Sequence, residues 1–189
     1  MDLPVLTTDT APEASRPILE GIAADLGFVP NLAATAAASP TLLAAFDGLR
    51  RAVAADGFDP IHREVAGLAV GVAVDNHYGV AFHSTVLGAL GVDADDIAAM
   101  RRGEDPVEPV LAAVHGFARS VARDRGAVAD DVVQRARGAG LHDGDLLQLV
   151  TECAFAGLVG LIDNLADHVD LDPPLQPQAW PGLDADAAT

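Results

Sequence analysis

The chain has 189 residues, of which 50% are apolar, and 28 acidic residues against 11 basic ones give it a net charge of −17 at pH 7. This apolar content is sufficient for one packed domain and argues against intrinsic disorder. A surface this acidic repels phosphate backbones and anionic lipid, so neither nucleic acid nor a membrane is expected as a partner.

Helical patterns occupy almost the whole chain, because alanine is frequent, aromatic residues make up only 4%, and the alternation typical of strands is nearly absent. Ser39 and Asp59 each precede a proline, which is the order of residues found where helices begin. The sequence therefore predicts an all-α fold. In chain order, helices are expected at 13–26, 31–38, 41–55, 60–74, 76–90, 94–101, 107–124, 129–139 and 144–168.

The composition changes near residue 170, where four prolines follow within LDPPLQPQAWP. Proline removes a backbone donor and cannot sit inside a regular helix. We expect a single helical domain over 1–170 and an extended tail over 171–189. Trp180 is expected to anchor this tail, since a large ring is costly to leave in water.

An internal similarity links two helical segments. EVAGLAVGVAVDN, at 64–76, aligns without gaps on ECAFAGLVGLIDN, at 152–164. Both begin with glutamate and end with Asp-Asn. Duplication of a helical unit and chance similarity between alanine-rich helices both explain this pattern.

Cys153 is the only cysteine, which excludes an intramolecular disulfide, a CxxC pair and a cysteine-rich zinc site. The N-terminus lacks the basic and apolar regions of a signal peptide. No run of about 18 apolar residues is free of charge, so no membrane-spanning segment is expected. We therefore expect a cytoplasmic protein.

One constellation of residues has the chemistry of a proton relay. Glu64 lies beside the apolar stripe of the fourth predicted helix, and Asn76, Gly79 and His83 share one face of the next. Asp75 stands where it can cap that second helix. A buried glutamate needs compensation, and a histidine can share a proton with it. The alternative is that Glu64 and His83 are surface residues that do not meet.

The spacing Glu64-x11-Asn76-x2-Gly79-x3-His83 resembles the E-x11-C-x2-C-x3-H signature of the alkyl hydroperoxidase D-like (AhpD-like) proteins, which belong to the carboxymuconolactone decarboxylase superfamily. GFVPN resembles the G-x-VPN element of the peroxidase-related branch, and further motifs follow in the same order over about residues 15–175. The resemblance implies an all-α fold, a homotrimer or homohexamer, and no cofactor. The apolar faces of nine helices also exceed what one small bundle buries, which favours a homo-oligomer.

Both cysteines of that signature are replaced, the first by Asn76 and the second by Gly79. Neither residue forms a thiolate, so thiol peroxidase activity is not expected. Cys153 lies on a different predicted helix and is expected to fill core as a small apolar residue.

The decarboxylase branch also lacks the CxxC pair, and Asn76-His77 with His83 resembles its pattern, although the basic residue of that branch is missing at Asn76. We expect a cofactor-free acid–base enzyme that performs decarboxylation, isomerisation or lactone chemistry on a small organic acid or carbonyl compound. A catalytically silent ligand-binding or scaffold protein is the alternative. The expected catalytic residues are Glu64, His83 and His77, and the expected substrate contacts are Asn76, Tyr78 and Gly79.

Some of these roles have alternatives. His77 is about 120° from His83 on a regular helix, so the two share a pocket only with a distorted turn or a neighbouring subunit. Tyr78 either donates to a ligand or packs, and Asn76 either binds a substrate carbonyl or caps the helix.

A metal held by Glu64, Asp75, His77 and His83 is not expected, because no HxxxH or HxxE spacing places these residues on one helix face. The other histidines are expected at helix ends or on polar faces and are assigned no chemistry. They are His62, His115, His142 and His168, the last explained by the helix dipole.

Overall fold

The computed structural model describes residues 1–55 and 57–183, and within these ranges it contains nine α-helices, two 3-10 helices and no strand. The prediction of an all-α fold is confirmed. The 3-10 helices are Glu13–Ser15 and Pro173–Gln178. The α-helices are α1 (Arg16–Leu26), α2 (Asn31–Ala36), α3 (Pro40–Ala55), α4 (Pro60–Ala73), α5 (His77–Ala89), α6 (Ala94–Arg101), α7 (Pro109–Arg123), α8 (Asp130–Gly138) and α9 (Asp143–Leu165).

Helix α4 is the centre of the molecule and packs against α5, α7 and α9. It begins at a proline, and the Asp59 carboxylate accepts the N–H groups of Ile61 at 2.8 Å and His62 at 3.2 Å. This cap satisfies two donors that have no partner inside the helix. The alanine and glycine residues of α4 allow its neighbours to approach closely on several sides.

The turn between α4 and α5 differs from the prediction in one respect. Asp75 was expected to cap α5, but it lies at φ 56° in the left-handed region, and its carboxylate lies 3.4 Å from Nε2 of His77. Asn76 is the capping residue, since its Oδ1 accepts the N–H of Gly79 at 2.8 Å. Of the two candidate caps, Asn76 and not Asp75 caps α5.

Two clusters of buried apolar side chains form the core. The first lies among α4, α6, α7 and the first half of α9, and the second lies among α1, α2, α3 and the second half of α9. Helix α9 belongs to both clusters. Helix α5 also belongs to both, because Val80 and Leu87 lie in the first cluster and Tyr78 and Ala81 lie in the second.

By length and composition alone, α9 is long and apolar enough to cross a membrane, which is weak evidence because core helices pass the same test. Its inner face is buried between the two clusters and includes the acidic residues Glu152 and Asp163. This position in the core accounts for its apolar composition. The cytoplasmic location stays a prediction.

The C-terminal segment was expected to be extended, and part of it is not. Residues Pro173–Gln178 form a 3-10 helix. Trp180 is 3% exposed and packs on the first cluster, so it anchors the segment as expected. Arg101 holds the same segment by donating to the carbonyl oxygens of Gln178 and Ala179 at 3.0 and 2.9 Å. Residues 184–189 of the predicted tail lie outside the described residues.

Candidate active site

Glu64 on α4 and His83 on α5 face each other. Nδ1 of His83 lies 2.7 Å from Oε2 of Glu64, and Nε of Arg63 lies 3.2 Å from the other carboxylate oxygen. Glu64 is 5% exposed, and the His83 side chain is 16% exposed. The structure thus brings together the two residues that the sequence analysis paired.

A glycine on α4 makes room for the imidazole. A Cβ atom on Gly67 would stand 2.2 Å from Cε1 of His83 and 2.3 Å from its Nε2. Any side chain at position 67 would therefore collide with the ring. Gly67 lies one turn after Glu64, so the carboxylate and the space for the ring occupy the same face of α4.

The electrostatic balance at Glu64 favours its ionised form. Burial by itself raises the pKa of Glu64, but the hydrogen bond with His83 and the charges of His83 and Arg63 outweigh burial and hold the pKa below its ordinary value. An ionised carboxylate accepts hydrogen bonds only, so it fixes the Nδ1–H tautomer of His83 and orients the ring.

Asn76 and Gly79 contact each other at the start of α5. A Cβ atom on Gly79 would stand 2.2 Å from Nδ2 of Asn76, so the amide fills the space that a side chain at position 79 needs. Asn76 is 1% exposed, and its Nδ2 has no hydrogen-bond partner among the described residues. The structure shows the capping role of Asn76, and a substrate contact by either residue stays a prediction.

His77 is not brought to the Glu64–His83 pair. Its ring stacks on His168 with centroids 3.6 Å apart, and Trp180 meets it edge-on at 5.4 Å. Its Nε2 lies 3.4 Å from the Asp75 carboxylate. His77 is the first residue of α5, and the helix turns its ring towards the end of α9 rather than towards α4.

Tyr78 packs into the second cluster and is 5% exposed. Its hydroxyl donates to the Asp172 carboxylate, which also accepts the backbone N–H of Asn31. Burial first, and then the neighbouring Asp172 carboxylate, raise the pKa of Tyr78 far above its ordinary value. The hydroxyl thus ties α5 to the C-terminal segment, and a substrate contact by Tyr78 stays a prediction.

Cys153 fills core as expected, at 6% exposure. Burial, with a further contribution from the charge of Glu152, raises the pKa of its thiol to about 12. A thiol with this pKa is protonated at neutral pH and is not a nucleophile.

Two parts of the arrangement were not anticipated from the sequence. Arg63 donates to the second carboxylate oxygen of Glu64. Its position next to Glu64 in the sequence could have indicated this contact. His115 was expected on a polar face, but its side chain is fully buried and its Nδ1 lies 2.9 Å from Asp105. The expectation failed because Asp105 comes from a loop outside α7 and supplies the polar partner that the helix pattern does not show.

Two surface cavities lie away from the Glu64–His83 pair. One of about 620 Å³ lies between the start of α4 and the start of α9, and one of about 740 Å³ lies along α7 and α8. Neither is lined by Glu64 or His83.

Comparison with known proteins agrees with this architecture. The model of the carboxymuconolactone decarboxylase family matches residues 40–124, a range that contains Glu64, Asn76, Gly79 and His83. A comparison with curated proteins gave no significant match.

Several solved structures share the fold. The alkylhydroperoxidase AhpD core of an uncharacterized peroxidase-related protein from Ralstonia eutropha JMP134 has 24% identity and a TM-score of 0.77 over 92% of this chain and 93% of that one. The debrominase Bmp8, in complex with 2,3,4-tribromopyrrole, has 16% identity and a TM-score of 0.74 over 94% and 95%. An uncharacterized peroxidase-related protein from Silicibacter sp. TM1040 has 17% identity and a TM-score of 0.74 over 94% of each chain.

Proposed function

We propose that this chain is a member of the carboxymuconolactone decarboxylase and AhpD-like superfamily and a cofactor-free acid–base catalyst for a small organic acid, lactone or other carbonyl compound. The observation that carries the proposal is the buried Glu64–His83 pair, with a separation of 2.7 Å. An ionised carboxylate at this depth is costly to maintain unless hydrogen bonds compensate it, as those with His83 and Arg63 do here.

In the proposed reaction His83 moves the proton. Its Nδ1 is engaged by Glu64, which leaves Nε2 to take a proton from the carbon next to the substrate carbonyl and to return it at another position. Glu64 orients the ring and stabilises the imidazolium that forms, and Arg63 keeps Glu64 ionised. Decarboxylation and isomerisation both proceed through the enolate that such a proton transfer produces or consumes.

Thiol peroxidase chemistry is not proposed. The two positions of the CxxC pair hold Asn76 and Gly79, and the amide of the first occupies the side-chain space of the second. The remaining thiol is buried and has a pKa of about 12. The structural neighbour bound to 2,3,4-tribromopyrrole supports only a small substrate of comparable size.

Proton transfer is measured directly by deuterium exchange. The protein is incubated in D2O with a panel of small β-keto acids, unsaturated lactones and enones, and deuterium uptake next to the carbonyl is followed by proton NMR. We expect uptake or turnover of at least one compound, and a loss of about 10²- to 10⁴-fold in His83→Gln. His62→Gln, on the same helix as Glu64, is the matched control and is expected to retain the rate. Folded wild-type protein that exchanges and converts none of the panel contradicts the proposal.

That negative result would favour the second candidate, a catalytically silent binding or scaffold protein. What supports this candidate is the close packing of the pair, since Glu64 is 5% exposed and the His83 ring lies where a side chain on Gly67 would stand. In such a protein the pair serves stability alone. His83→Gln would then lower the free energy of unfolding without a rate to lose.

We also propose that the chain forms a homo-oligomer through the outer face of α9. Leu147, Val150, Leu161 and Leu165 are 70%, 44%, 71% and 56% exposed and recur at helical spacing. An apolar stripe of this length is rarely left in water, and an uncharged, self-similar stripe suits a second copy of the same helix.

The assembly is tested by light scattering after size exclusion. Leu161→Glu is expected to reduce the mass to that of one chain, because it introduces a charge in the middle of the stripe. Val107→Glu, at a residue that is 90% exposed outside α9, is the control and is expected to leave the mass unchanged. A wild-type monomer contradicts the proposal.

A further inference from the structure

Three side chains with metal-ligating atoms meet where α5 begins and α9 has ended. One ligand atom from each of Asp75, His77 and His168 lies within 4.8 Å of the others. Nε2 of His77 is 3.4 Å from Oδ1 of Asp75, and the two imidazoles are stacked at 3.6 Å with only 8° between their planes. This cluster is separate from the Glu64–His83 pair.

The backbone places these residues with unusual conformations. Asp75 and His168 have φ angles of 56° and 66°, a region that residues other than glycine seldom occupy. Asp75 follows the end of α4, and His168 follows the end of α9. The two turns, which are far apart in sequence, thereby direct a carboxylate and an imidazole to one place.

His168 also has the supporting partner that metal-binding histidines usually have. Its Nδ1 donates to the Asp163 carboxylate at 3.1 Å, and Asp163 is fully buried. Asp163 is itself fixed by the backbone N–H groups of Val169 at 2.8 Å and Tyr78 at 3.3 Å. A carboxylate bonded to one ring nitrogen sets the tautomer in which the other nitrogen, Nε2, is free to bind a metal ion.

We propose that Asp75, His77 and His168 bind a divalent transition-metal ion. Two imidazole nitrogens and one carboxylate oxygen are a ligand set suited to zinc, with a fourth position left for water. The carboxylates of Asp75 and Asp163 give the cluster a negative charge when the imidazoles are neutral, which favours a cation. The resulting bond network would join the α4–α5 turn to the end of α9.

Binding requires one small rearrangement. Stacked rings direct their lone pairs in parallel, so one ring has to tilt before both nitrogens reach the same ion. His168 is fixed by Asp163, whereas His77 has its Nε2 next to the Asp75 side chain, which is 66% exposed. His77 is therefore the ring that tilts.

The C-terminal segment passes directly over the cluster. Gly182 has φ 93°, and a Cβ atom on it would stand 3.3 Å from Oδ1 of Asp75 and 3.6 Å from Nε2 of His77. The glycine backbone thus passes close to two of the ligand atoms. Trp180, the only tryptophan in the chain, meets the His77 ring edge-on and reports on its movement.

The test uses the full chain after removal of metal with a chelator, titrated with Zn²⁺ alone. We expect one zinc ion per chain by calorimetry, a change in Trp180 fluorescence on the same curve, and a higher Tm. With Co²⁺ as the probe, visible absorption bands typical of four-coordinate cobalt are expected. Wild-type protein that binds no Zn²⁺ overturns the proposal.

The variants identify the site. Asp75→Asn keeps a residue that tolerates the left-handed conformation, and His168→Ala removes a ligand; each is expected to weaken zinc binding at least 10-fold. Asp163→Asn is expected to weaken it about 10- to 100-fold without touching the ion. His83→Ala is the control and is expected to keep full affinity. Equal affinity in Asp75→Asn and wild type, or loss of binding in His83→Ala, overturns the proposal.

Discussion

The ring of His83 occupies the space that a side chain on Gly67 would need. The distance of 2.2 Å from an ideal Cβ to the ring carbon is far below any van der Waals contact. One missing methyl group on α4 therefore decides whether the imidazole can reach Glu64. The contact between Glu64 and His83 therefore depends on Gly67 as well as on the two residues themselves.

Gly67→Ala is expected to displace His83 and break its contact with Glu64. Because the collision involves a ring held between two helices, the free energy of unfolding should fall by at least about 2 kcal/mol. The proposed exchange activity should be lost with it. Gly88→Ala on α5, where a Cβ would meet nothing within 4 Å, is the control and should stabilise the chain by about 0.5–1 kcal/mol. Equal stability of the two variants would show that the ring is free to move.

Glu64→Gln tests the contribution of the ionised carboxylate through its pH dependence. The pKa of Glu64 is held below its ordinary value of 4.5 in the folded chain. Its stabilising effect is therefore complete above that value and is lost as the pH falls through the lower folded pKa. The difference in unfolding free energy between wild type and Glu64→Gln, measured with urea, should be about 1–3 kcal/mol at pH 7 and shrink between pH 5 and pH 3. A difference that is constant over this range would contradict an ionised Glu64.

Much of this architecture was predictable from local signals. Each of the nine predicted helices has an α-helical counterpart, because proline and aspartate begin α4 and glycines end several helices through left-handed backbone. The pairing of Glu64 with His83 was suggested by the need of a buried glutamate for a partner, and the resemblance to the E-x11-C-x2-C-x3-H signature favoured it over two separate surface residues. The segment after Asp172 was less predictable because consecutive prolines suit a 3-10 turn as well as an extended chain.

Contacts between distant segments were the part that the sequence did not show. His77 was predicted to act with Glu64 and His83 because of its place in the signature. Its ring instead stacks on that of His168, which lies 91 residues later in the sequence. Nothing in the local pattern around His77 indicates that the chain after α9 returns to it. The same reason explains why Asp105 was not recognised as the partner of buried His115.

Introducing cysteine at positions 76 and 79 tests whether the Asn76 amide blocks a side chain at position 79. Gly79→Cys alone places a Cβ 2.2 Å from Nδ2 of Asn76 and should destabilise the chain by about 1–3 kcal/mol. Changing Asn76→Cys as well removes the obstructing amide, so the double variant should be more stable than Gly79→Cys alone. This non-additivity is measured by a double-mutant cycle of urea unfolding. Additive costs would mean that the amide does not block the side chain at position 79.

Treatment with peroxide tests the burial of Cys153 in the wild type. The wild type is expected to consume no hydroperoxide through Cys153, since this thiol is buried and has a pKa of about 12. Mass spectrometry after peroxide treatment should find Cys153 unmodified in the folded chain. Oxidation of Cys153 at a rate comparable to that of a free thiol would contradict its buried placement.

Tyr78→Phe tests the link between α5 and the C-terminal segment. Removal of the hydroxyl takes one donor from Asp172, a carboxylate that is 6% exposed. Hydrogen bonds to charged groups contribute about 1.5–3 kcal/mol, so a loss of that size in unfolding free energy is expected. Phe82→Leu, on the same helix at a residue that is 41% exposed, is the control and should cost less than about 1 kcal/mol. A neutral Tyr78→Phe would show that Asp172 finds another donor.

His115 should make the stability of the chain depend on pH near neutrality. Burial lowers the pKa of His115 below its ordinary value of 6.5, and the hydrogen bond with Asp105 opposes this only in part. Below pH 6.5 the unfolded chain therefore binds a proton at His115 more readily than the folded chain does. The free energy of unfolding falls as the pH drops, by at most about 1.4 kcal/mol per pH unit. His115→Gln should flatten the plot of unfolding free energy between pH 7.5 and 5.5. Asp105→Asn should steepen it, because the interaction that keeps the pKa from falling further is removed. If Asp105→Asn flattens the plot instead, the carboxylate and not burial controls the titration of this histidine.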